Sequence, residues 1–189
     1  MKVVGYEGCE IGPWGYMPND DPKVLKNAMD ARGLTLVGAT EGGNFLDDAA
    51  VEGMLRDIDD IFALLKAFPS AKYIVLLPPM YTNLAAGEPI SFYKKWAKRI
   101  PYIHFKDCDL AVKAKMDENK WSFAKAVTED IMVEPGKGSI DFTAMHKALD
   151  ECGYDGWCVV EQDLFPVKSF DVPLEKATIG RENLRKAGF

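Results

Sequence analysis

Short apolar segments alternate along the chain with longer amphipathic ones, and this alternation is the strongest constraint on the fold. Strands are predicted at 3–11, 34–39, 72–77, 102–105 and 156–160. Helices are predicted at 21–32, 49–68, 91–100, 143–152 and 174–186, with a polar, partly helical excursion at 110–126. Strands that are apolar along nearly their whole length are typical of the parallel sheets of α/β proteins. The sequence therefore predicts an α/β fold with about five parallel strands.

Parallel sheets form either open doubly wound layers or barrels of eight strands, the latter typically in about 250 residues. Five strands are too few to close a barrel of the usual kind. A dinucleotide-binding open sheet would carry G-x-G-x-x-G after its first strand, whereas this chain has Gly-Pro-Trp-Gly-Tyr at 12–16. Gly136 and Gly138 do not follow a strong strand and lack the third glycine, so we interpret them as turn glycines.

Composition and charge narrow the classes of function. A chain of 189 residues usually forms one domain, and we expect a single domain over 1–189. The net charge of −6 argues against binding to a nucleic-acid backbone. No apolar run approaches the roughly 20 residues of a membrane span, and the first residues lack the apolar region of a signal peptide, which predicts a cytoplasmic protein. The four cysteines are isolated in sequence and are interpreted as reduced thiols.

Polar residues follow two of the predicted strands, at the ends where parallel sheets bind ligands. Glu161 and Asp163 come after the last apolar strand, and Lys106 and Asp107 come directly after the strand that contains His104. A carboxylate at such a place is costly to desolvate unless a metal or a substrate binds it. His104 and Glu161 therefore predict half of a metal site, although a histidine on an apolar strand is also a common hydrogen-bonded core residue.

Two further positions are candidates for contact with a substrate. Glu10, at the end of the first predicted strand, supplies another carboxylate or instead forms an ion pair inside the fold. Trp14 lies in the loop after that strand, with Tyr16 and Met17 close to it in sequence. Aromatic residues in such loops either stack on sugar rings or cover the core, and the sequence leaves both interpretations open.

Four segments together resemble the xylose isomerase-like TIM barrels of the sugar phosphate isomerase/epimerase group. They are Gly-Tyr-Glu-Gly-Cys-Glu-Ile-Gly at 5–12, Tyr-Ile-His-Phe-Lys-Asp at 102–107, Gly-Lys-Gly-Ser-Ile-Asp-Phe at 136–142, and the segment 153–163. Within this group they are most similar to the inosose (2-keto-myo-inositol) dehydratases. The segment 153–163 is the most specific of the four, and their order and spacing strengthen the resemblance. It implies a TIM-barrel-like fold that is incomplete, with about five of the usual eight strands.

The resemblance also implies a divalent metal, manganese, cobalt or magnesium, at the carboxyl end of the barrel. Its ligands in such enzymes are a glutamate, an aspartate, a histidine and a second glutamate from four successive late strands. His104 matches the histidine and Glu161 matches the last glutamate, but the residues between 77 and 102 contain no candidate strand for the first two. The resemblance therefore implies a deletion of two βα units near 88–92 and the absence of the first βα unit.

The chemistry implied by the resemblance is that of a metal-dependent sugar or polyol lyase or isomerase. In an inosose dehydratase-like reaction, the metal chelates adjacent oxygens of the ketone and stabilises an enediolate. Glu161 then holds the metal or transfers the proton, and Lys106 faces the developing negative charge. Asp107 and Asp163 contact the substrate or orient His104. Loss of a β-hydroxyl gives dehydration, whereas reprotonation gives isomerisation.

Two alternatives to the lyase remain open. One is a sugar isomerase or epimerase, and the other is an inactive fragment or polyol-binding protein that lacks half of the metal site. In each case the expected ligand is a small sugar or inosose, and neither a nucleic acid nor a membrane. An unclosed parallel sheet exposes hydrogen-bonding edges and apolar surface, so we also expect a homo-oligomer, for which a domain swap is one route.

Overall fold

The structure is a computed structural model of the chain that describes residues 1–12, 16–43, 47–77 and 89–189. The described residues fall into two compact units. We call residues 2–77 the amino-terminal unit and residues 89–189 the carboxyl-terminal unit. The point of the predicted deletion, 88–92, lies partly outside the described residues. The deletion, the absent first βα unit and the single-domain organisation therefore stay predictions.

The amino-terminal unit is a three-stranded parallel sheet with two helices. Its elements are β1 (Gly8–Glu10), α1 (Pro22–Arg32), β2 (Thr35–Gly42), α2 (Asp48–Leu65) and β3 (Tyr73–Leu77). The strand β2 lies in the centre of the sheet, between β1 and β3. Residues 36–41 of β2 are all buried, which agrees with the apolar run at the start of this strand.

Local sequence signals determine both ends of α1. The side chain of Asp21 caps the helix by accepting a hydrogen bond from the Lys23 N–H at 2.8 Å. Pro22 occupies the first turn, where the helix needs no backbone donor. Gly33 ends the helix in the left-handed conformation, with a φ of 60°. The helix predicted at 21–32 is therefore confirmed.

The strand predicted at 3–11 is shorter than expected. Only Gly8–Glu10 pairs with β2, whereas Lys2–Val4 form a turn of 3-10 helix. The side chain of Val3 is 89% exposed, so it does not contribute to the described core. A run of β-branched residues favours a strand, but a strand also needs a hydrogen-bonded neighbour along its whole length. The first residues of this run have no such neighbour among the described strands.

The carboxyl-terminal unit contains one parallel and one antiparallel pair of strands, together with several helices. Its strands are β4 (Tyr102–Phe105), β5 (Asp107–Cys108), β6 (Met132–Val133) and β7 (Trp157–Val160). Its α-helices are α3 (Pro89–Trp96), α4 (Leu110–Asn119), α5 (Phe123–Thr128), α6 (Phe142–Glu151) and α7 (Asp171–Ala187). The strand β4 pairs with β7 in parallel, and β5 pairs with β6 in antiparallel.

An aromatic cluster holds β4 against the helices of the carboxyl-terminal unit. The ring of Phe105, at the end of β4, packs edge to face against the rings of Phe142 and Phe189. The distances between ring centroids are 5.2 and 4.9 Å. Met145 and Leu149 of α6 belong to the same buried cluster. Burial of each large apolar side chain contributes roughly 1.5–3 kcal/mol. The cluster therefore fixes which face of β4 points into the core.

The predicted parallel α/β architecture is confirmed. Five of the described strands, β1 to β4 and β7, pair in parallel, and the described strands do not form a closed barrel. The excursion predicted at 110–126 contains α4 and most of α5. The pairing of β5 with β6 was not predicted, because strands of two residues leave no periodic pattern in a sequence.

Two expectations from composition can be compared with the structure. All four cysteines are free, which agrees with their interpretation as reduced thiols. In the described part of the chain, no helix combines the length and the apolar character that a membrane span requires.

Candidate functional site

The parallel pairing of β4 with β7 brings together the polar residues that follow the two strands. The register pairs His104 with Val159 and Phe105 with Val160. The pairing continues past β7, because the Glu161 N–H donates a hydrogen bond to the Phe105 carbonyl oxygen at 2.9 Å. Side chains alternate between the two faces of a strand. With Phe105 in the core, the side chain of His104 faces the opposite way, and so does that of Glu161.

Four side chains form what we call the polar cluster: His104, Lys106, Glu161 and Asp163. Glu161 lies at its centre, with Oε2 2.9 Å from His104 Nδ1 and Oε1 2.6 Å from Lys106 Nζ. Lys106 Nζ also lies 2.8 Å from Asp163 Oδ2. The four side chains are between 21% and 34% exposed. Each is thus largely removed from solvent but accessible to a small molecule.

The neighbours of Glu161 and Lys106 hold both side chains in their charged forms. The hydrogen bond with His104 lowers the pKa of Glu161, burial opposes it, and Lys106 lowers it further, so the pKa is about 2 against an ordinary 4.5. Burial by itself would lower the pKa of Lys106, but the hydrogen bonds and charges of Asp163 and Glu161 outweigh burial and raise it. At neutral pH the polar cluster therefore contains a stable carboxylate beside a stable ammonium.

These charge states determine what the polar cluster can do chemically. A carboxylate with a pKa of about 2 is a good hydrogen-bond acceptor but a weak general base at neutral pH. An ammonium with a raised pKa provides a stable positive charge for a negatively charged oxygen of a substrate. This arrangement suits the role predicted for Lys106. It suits the proton transfer predicted for Glu161 only when Lys106 has turned away from that carboxylate.

Asp107 lies in a different environment from the polar cluster. Its side chain is fully buried, and its oxygens accept hydrogen bonds from four backbone N–H groups at 2.9 to 3.1 Å. The donors are Cys108, Gly136, Gly138 and Ile140. Such donors replace the water that a buried carboxylate loses. We therefore assign Asp107 to the support of the 136–140 loop, and not to substrate contact or to the orientation of His104.

Gly138 allows the 136–140 loop to close around Asp107. A Cβ atom at position 138 would lie 2.6 Å from the carbonyl oxygen of Cys108 and would also overlap the Asp107 carboxylate. The loop therefore needs a residue without a side chain at this position. The Gly-Lys-Gly-Ser motif at 136–139, interpreted from the sequence as a turn, is confirmed as a turn whose N–H groups surround a carboxylate of the same chain.

Glu10 and Trp14 are the remaining predicted substrate contacts. Glu10 Oε2 accepts a hydrogen bond from Thr40 Oγ1 at 3.4 Å, so Glu10 interacts with the neighbouring strand β2 in the amino-terminal unit. Trp14 lies outside the described residues. Contact of either residue with a substrate stays a prediction.

Glu134 is a buried acid that the sequence pattern does not mark as functional. Its side chain contacts Lys137 Nζ at 3.1 Å and Lys176 Nζ at 3.8 Å. Burial raises its pKa, but a backbone hydrogen bond and the two lysines outweigh burial and lower it. These contacts connect the loop after β6 with α7, so we assign Glu134 to the fold. A single glutamate before Pro135 carries no specific signal in a sequence.

The polar cluster contains donor types that suit a divalent metal, but their arrangement does not fit one. Imidazole and carboxylate groups are suitable ligands for manganese, cobalt or magnesium. The described residues, however, contain no group of three or more His, Cys, Asp or Glu side chains placed to hold a metal ion. Both carboxylates of the cluster instead contact the Lys106 ammonium. Catalytic metal sites generally have three or more protein ligands.

Comparisons with known proteins identify similar sequences. The profile of the family described as xylose isomerase-like TIM barrel matches residues 53–185. An inosose dehydratase of Clostridium beijerinckii is 33% identical over 71% of this chain and 45% of its own length. The rhizopine catabolism protein MocC of Rhizobium meliloti is 32% identical over 72% of this chain and 43% of its own length. The chain therefore spans less than half the length of these two relatives.

Two further similarities extend over nearly the whole chain. An inosose dehydratase of Geobacillus thermodenitrificans is 30% identical over 98% of this chain and 87% of its own length. That alignment has 263 positions, more than the 189 residues of this chain, so it includes residues of the relative without a counterpart here. The crystal structure of a 3-keto-D-glucoside 4-epimerase from E. coli aligns with a TM-score of 0.54 and 19% identity, over 98% of this chain and 90% of that one. This second similarity concerns the fold alone.

Replacement of Asp107 by asparagine should destabilise the carboxyl-terminal unit. In Asp107→Asn, an NH2 group faces backbone N–H donors, so at least one buried donor loses its acceptor. We expect the free energy of unfolding to fall by about 1–3 kcal/mol, measured by urea denaturation followed by circular dichroism. The control is Asp109→Asn, since Asp109 caps α4 and asparagine caps a helix equally well. Equal stability of Asp107→Asn and the wild type would contradict the supporting role.

The low pKa of Glu161 predicts a loss of stability in acid. A pKa of about 2 in the folded chain, below the ordinary 4.5, stabilises the fold above pH 4.5, and this contribution is lost as the pH falls towards 2. We expect the wild type to be more stable than Glu161→Gln near neutral pH, and the difference to shrink over that interval. Urea denaturation at a series of pH values measures the difference.

The matched control for this measurement is Glu151→Gln. It removes a pair with Lys94 at 2.7 Å in which both side chains are nearly half exposed. Because water screens exposed pairs, the difference between the wild type and this variant should be small at every pH. If the wild type and Glu161→Gln lost stability in parallel from pH 4.5 to pH 2, His104 and Lys106 would not be what keeps Glu161 charged.

Proposed function

The chain belongs to the xylose isomerase-like TIM barrel family, and we propose from this that it is a sugar-modifying enzyme whose polar cluster acts on a cyclic polyol ketone. The proposal depends most on the position of Lys106. Its Nζ lies 2.6 Å from Glu161 Oε1 and 2.8 Å from Asp163 Oδ2, at the carboxyl ends of two parallel strands. Ligands of parallel α/β folds bind at this edge.

An inosose is the substrate class that the comparisons favour. The relatives in Clostridium and Geobacillus are inosose dehydratases, and an inosose is an inositol in which one hydroxyl is replaced by a ketone. We therefore propose a reaction that begins by breaking the C–H bond next to such a ketone.

The polar cluster supplies groups for this first step. The ketone oxygen gains negative charge as the C–H bond breaks, and the Lys106 ammonium stabilises that charge. When Lys106 turns from Glu161 to the substrate, Glu161 loses a hydrogen bond and a positive charge that lower its pKa. Its carboxylate then becomes a better acceptor for the proton. His104 keeps Glu161 oriented through the 2.9 Å hydrogen bond.

Dehydration and epimerisation differ only in the second step. The electron pair of the C–H bond forms an enolate. If the hydroxyl on the next carbon leaves with a proton, the products are an unsaturated ketone and water. If a proton returns to the enolate instead, the product is an isomer or epimer. We propose dehydration as the main reaction because two of the relatives, those of Clostridium beijerinckii and Geobacillus thermodenitrificans, are inosose dehydratases.

Metal dependence is the part of the family resemblance that the described residues do not support. A bound divalent ion would polarise the ketone, and His104 with Glu161 would be its ligands in this chain. Since Lys106 already contacts both carboxylates, we derive no step that needs the ion. The cytoplasmic location also stays a prediction.

The proposed reaction can be tested with 2-keto-myo-inositol in heavy water. We expect exchange of the hydrogen next to the ketone, seen by NMR, and loss of one water, seen by mass spectrometry. Lys106→Met should reduce the rate by about 10²–10³-fold, because it removes the charge that stabilises the enolate. The control is Lys176→Met, because Lys176 also lies near two carboxylates, Asp130 and Glu134, but outside the polar cluster.

The outcomes separate the candidate functions. Exchange without loss of water would replace the dehydratase by a sugar isomerase or epimerase. Binding of the ketone without exchange would favour the second candidate, a polyol-binding protein. Two observations support this candidate. The chain spans less than half the length of the first two relatives, and the described residues contain no group of three metal ligands. If the chain neither bound the ketone nor catalysed the exchange, this result would contradict the proposal.

We also propose that the chain forms a homo-oligomer. Within the described residues, β1 and β3 each pair with β2 alone, and β4 and β7 pair only with each other. Open edges of parallel strands are available for pairing with another chain. We expect light scattering to give a mass at least about twice that of one chain at micromolar concentration. A monomer over the whole accessible range of concentration would contradict the proposal.

A further inference from the structure

The backbone of Lys106 is held in place by the residues on either side of it. Phe105 lies in the aromatic core, and Asp107 is fully buried and bonded to four backbone N–H groups. Both neighbours point away from the polar cluster, since side chains alternate along an extended chain. The position of the Lys106 backbone is therefore fixed, and its side chain points towards the carboxylates of Glu161 and Asp163.

The ammonium of Lys106 lies between the carboxylates of Glu161 and Asp163. Its distances to Glu161 Oε1 and Asp163 Oδ2 are 2.6 and 2.8 Å; the second lies within, and the first just below, the roughly 2.7–2.9 Å range of charge-assisted N–H···O contacts. The side chain of Lys106 is 28% exposed, so solvent screens these contacts only in part. The imidazole of His104, 2.9 Å from Glu161 Oε2, adds a third donor of a type that binds divalent ions, although the three side chains as they stand are not placed to hold one.

Lys176, a second lysine of the same unit, provides a comparison for the contacts of Lys106 with two carboxylates. Lys176 also lies near two carboxylates, at 3.6 Å from Asp130 and 3.8 Å from Glu134, and its side chain is 21% exposed. These distances are longer, and the contacts that the structure gives for this trio include no imidazole. Lys176 is therefore a matched case of a lysine between two acids without the third donor.

We propose that the Lys106 ammonium is itself the cation of the polar cluster, and that divalent ions bind there only when this ammonium is removed. Lys106 and a divalent ion compete for the same two carboxylates, and the positive charges repel each other at such short range. Removal of the ammonium leaves two carboxylates and one imidazole, which must still move together to hold an ion, because the described residues contain no group of three already placed to do so. This inference concerns the residues of the proposed function but does not depend on the reaction, because its readout is ion binding.

The test is calorimetric titration of the full chain with Mn²⁺, comparing the wild type with Lys106→Met. We expect the wild type to bind Mn²⁺ weakly, and Lys106→Met to bind one ion per chain with a dissociation constant lower by at least about tenfold. Addition of His104→Ala to Lys106→Met should abolish most of that gain, because it removes the third donor. Lys176→Met should bind Mn²⁺ no better than the wild type.

Two outcomes would overturn the inference. One is tight binding of one Mn²⁺ per wild-type chain, because the ion would then coexist with Lys106. The other is equal affinity of Lys106→Met and the wild type, with circular dichroism showing that both are folded. If Lys106→Met does not fold, Lys106→Gln replaces it, since glutamine also removes the charge and keeps a polar side chain. Neither outcome concerns turnover, so a failure here is distinct from a failure of the proposed reaction.

Discussion

The hydrogen-bonded pairing of β4 with β7 is the interaction on which the candidate site depends. It aligns His104 with Val159 and continues to the hydrogen bond between the Glu161 N–H and the Phe105 carbonyl. Since side chains alternate with a period of two, a slip of one residue in either strand would turn its polar groups to the other face. The contact between Phe105 and the aromatic core opposes such a slip, because a slip would replace the buried ring of Phe105 by a polar side chain.

The buried carboxylate of Asp107 secures the point at which β4 ends. An uncompensated charge in this position would cost several kcal/mol, but three backbone N–H groups of the 136–140 loop and that of Cys108 solvate it. The same hydrogen bonds give the 136–140 loop its shape and require glycine at position 138. A residue that resembles a site carboxylate in sequence therefore serves the fold, and its neighbour Lys106 belongs to the polar cluster instead.

The polar cluster combines opposite charges at short range, and this determines its chemistry. Each ionised group stabilises the charge of the other, so the carboxylate of Glu161 is a weak base while Lys106 remains beside it. A substrate that draws the ammonium towards a ketone oxygen would at the same time release the carboxylate. In the proposed reaction, the movement of the Lys106 side chain would thus connect substrate binding with activation of the carboxylate. The family resemblance alone would have placed a divalent ion there, but the described residues contain no group of three or more His, Cys, Asp or Glu side chains placed to hold one.

The sequence by itself determined the α/β class, the five parallel strands, the ends of helices such as α1, the family, and the adjacency of His104 and Glu161. These follow from local patterns: apolar runs, capping residues and short motifs. Only the tertiary structure decided that Asp107 is buried in a turn, that Val3 lies outside a strand, and that Lys106 contacts both Glu161 and Asp163. The physical reason is that a charge takes its role from the donors and acceptors within a few ångströms of it, and those come from segments distant in the sequence: about thirty positions for the turn around Asp107 and more than fifty for the partners of Lys106.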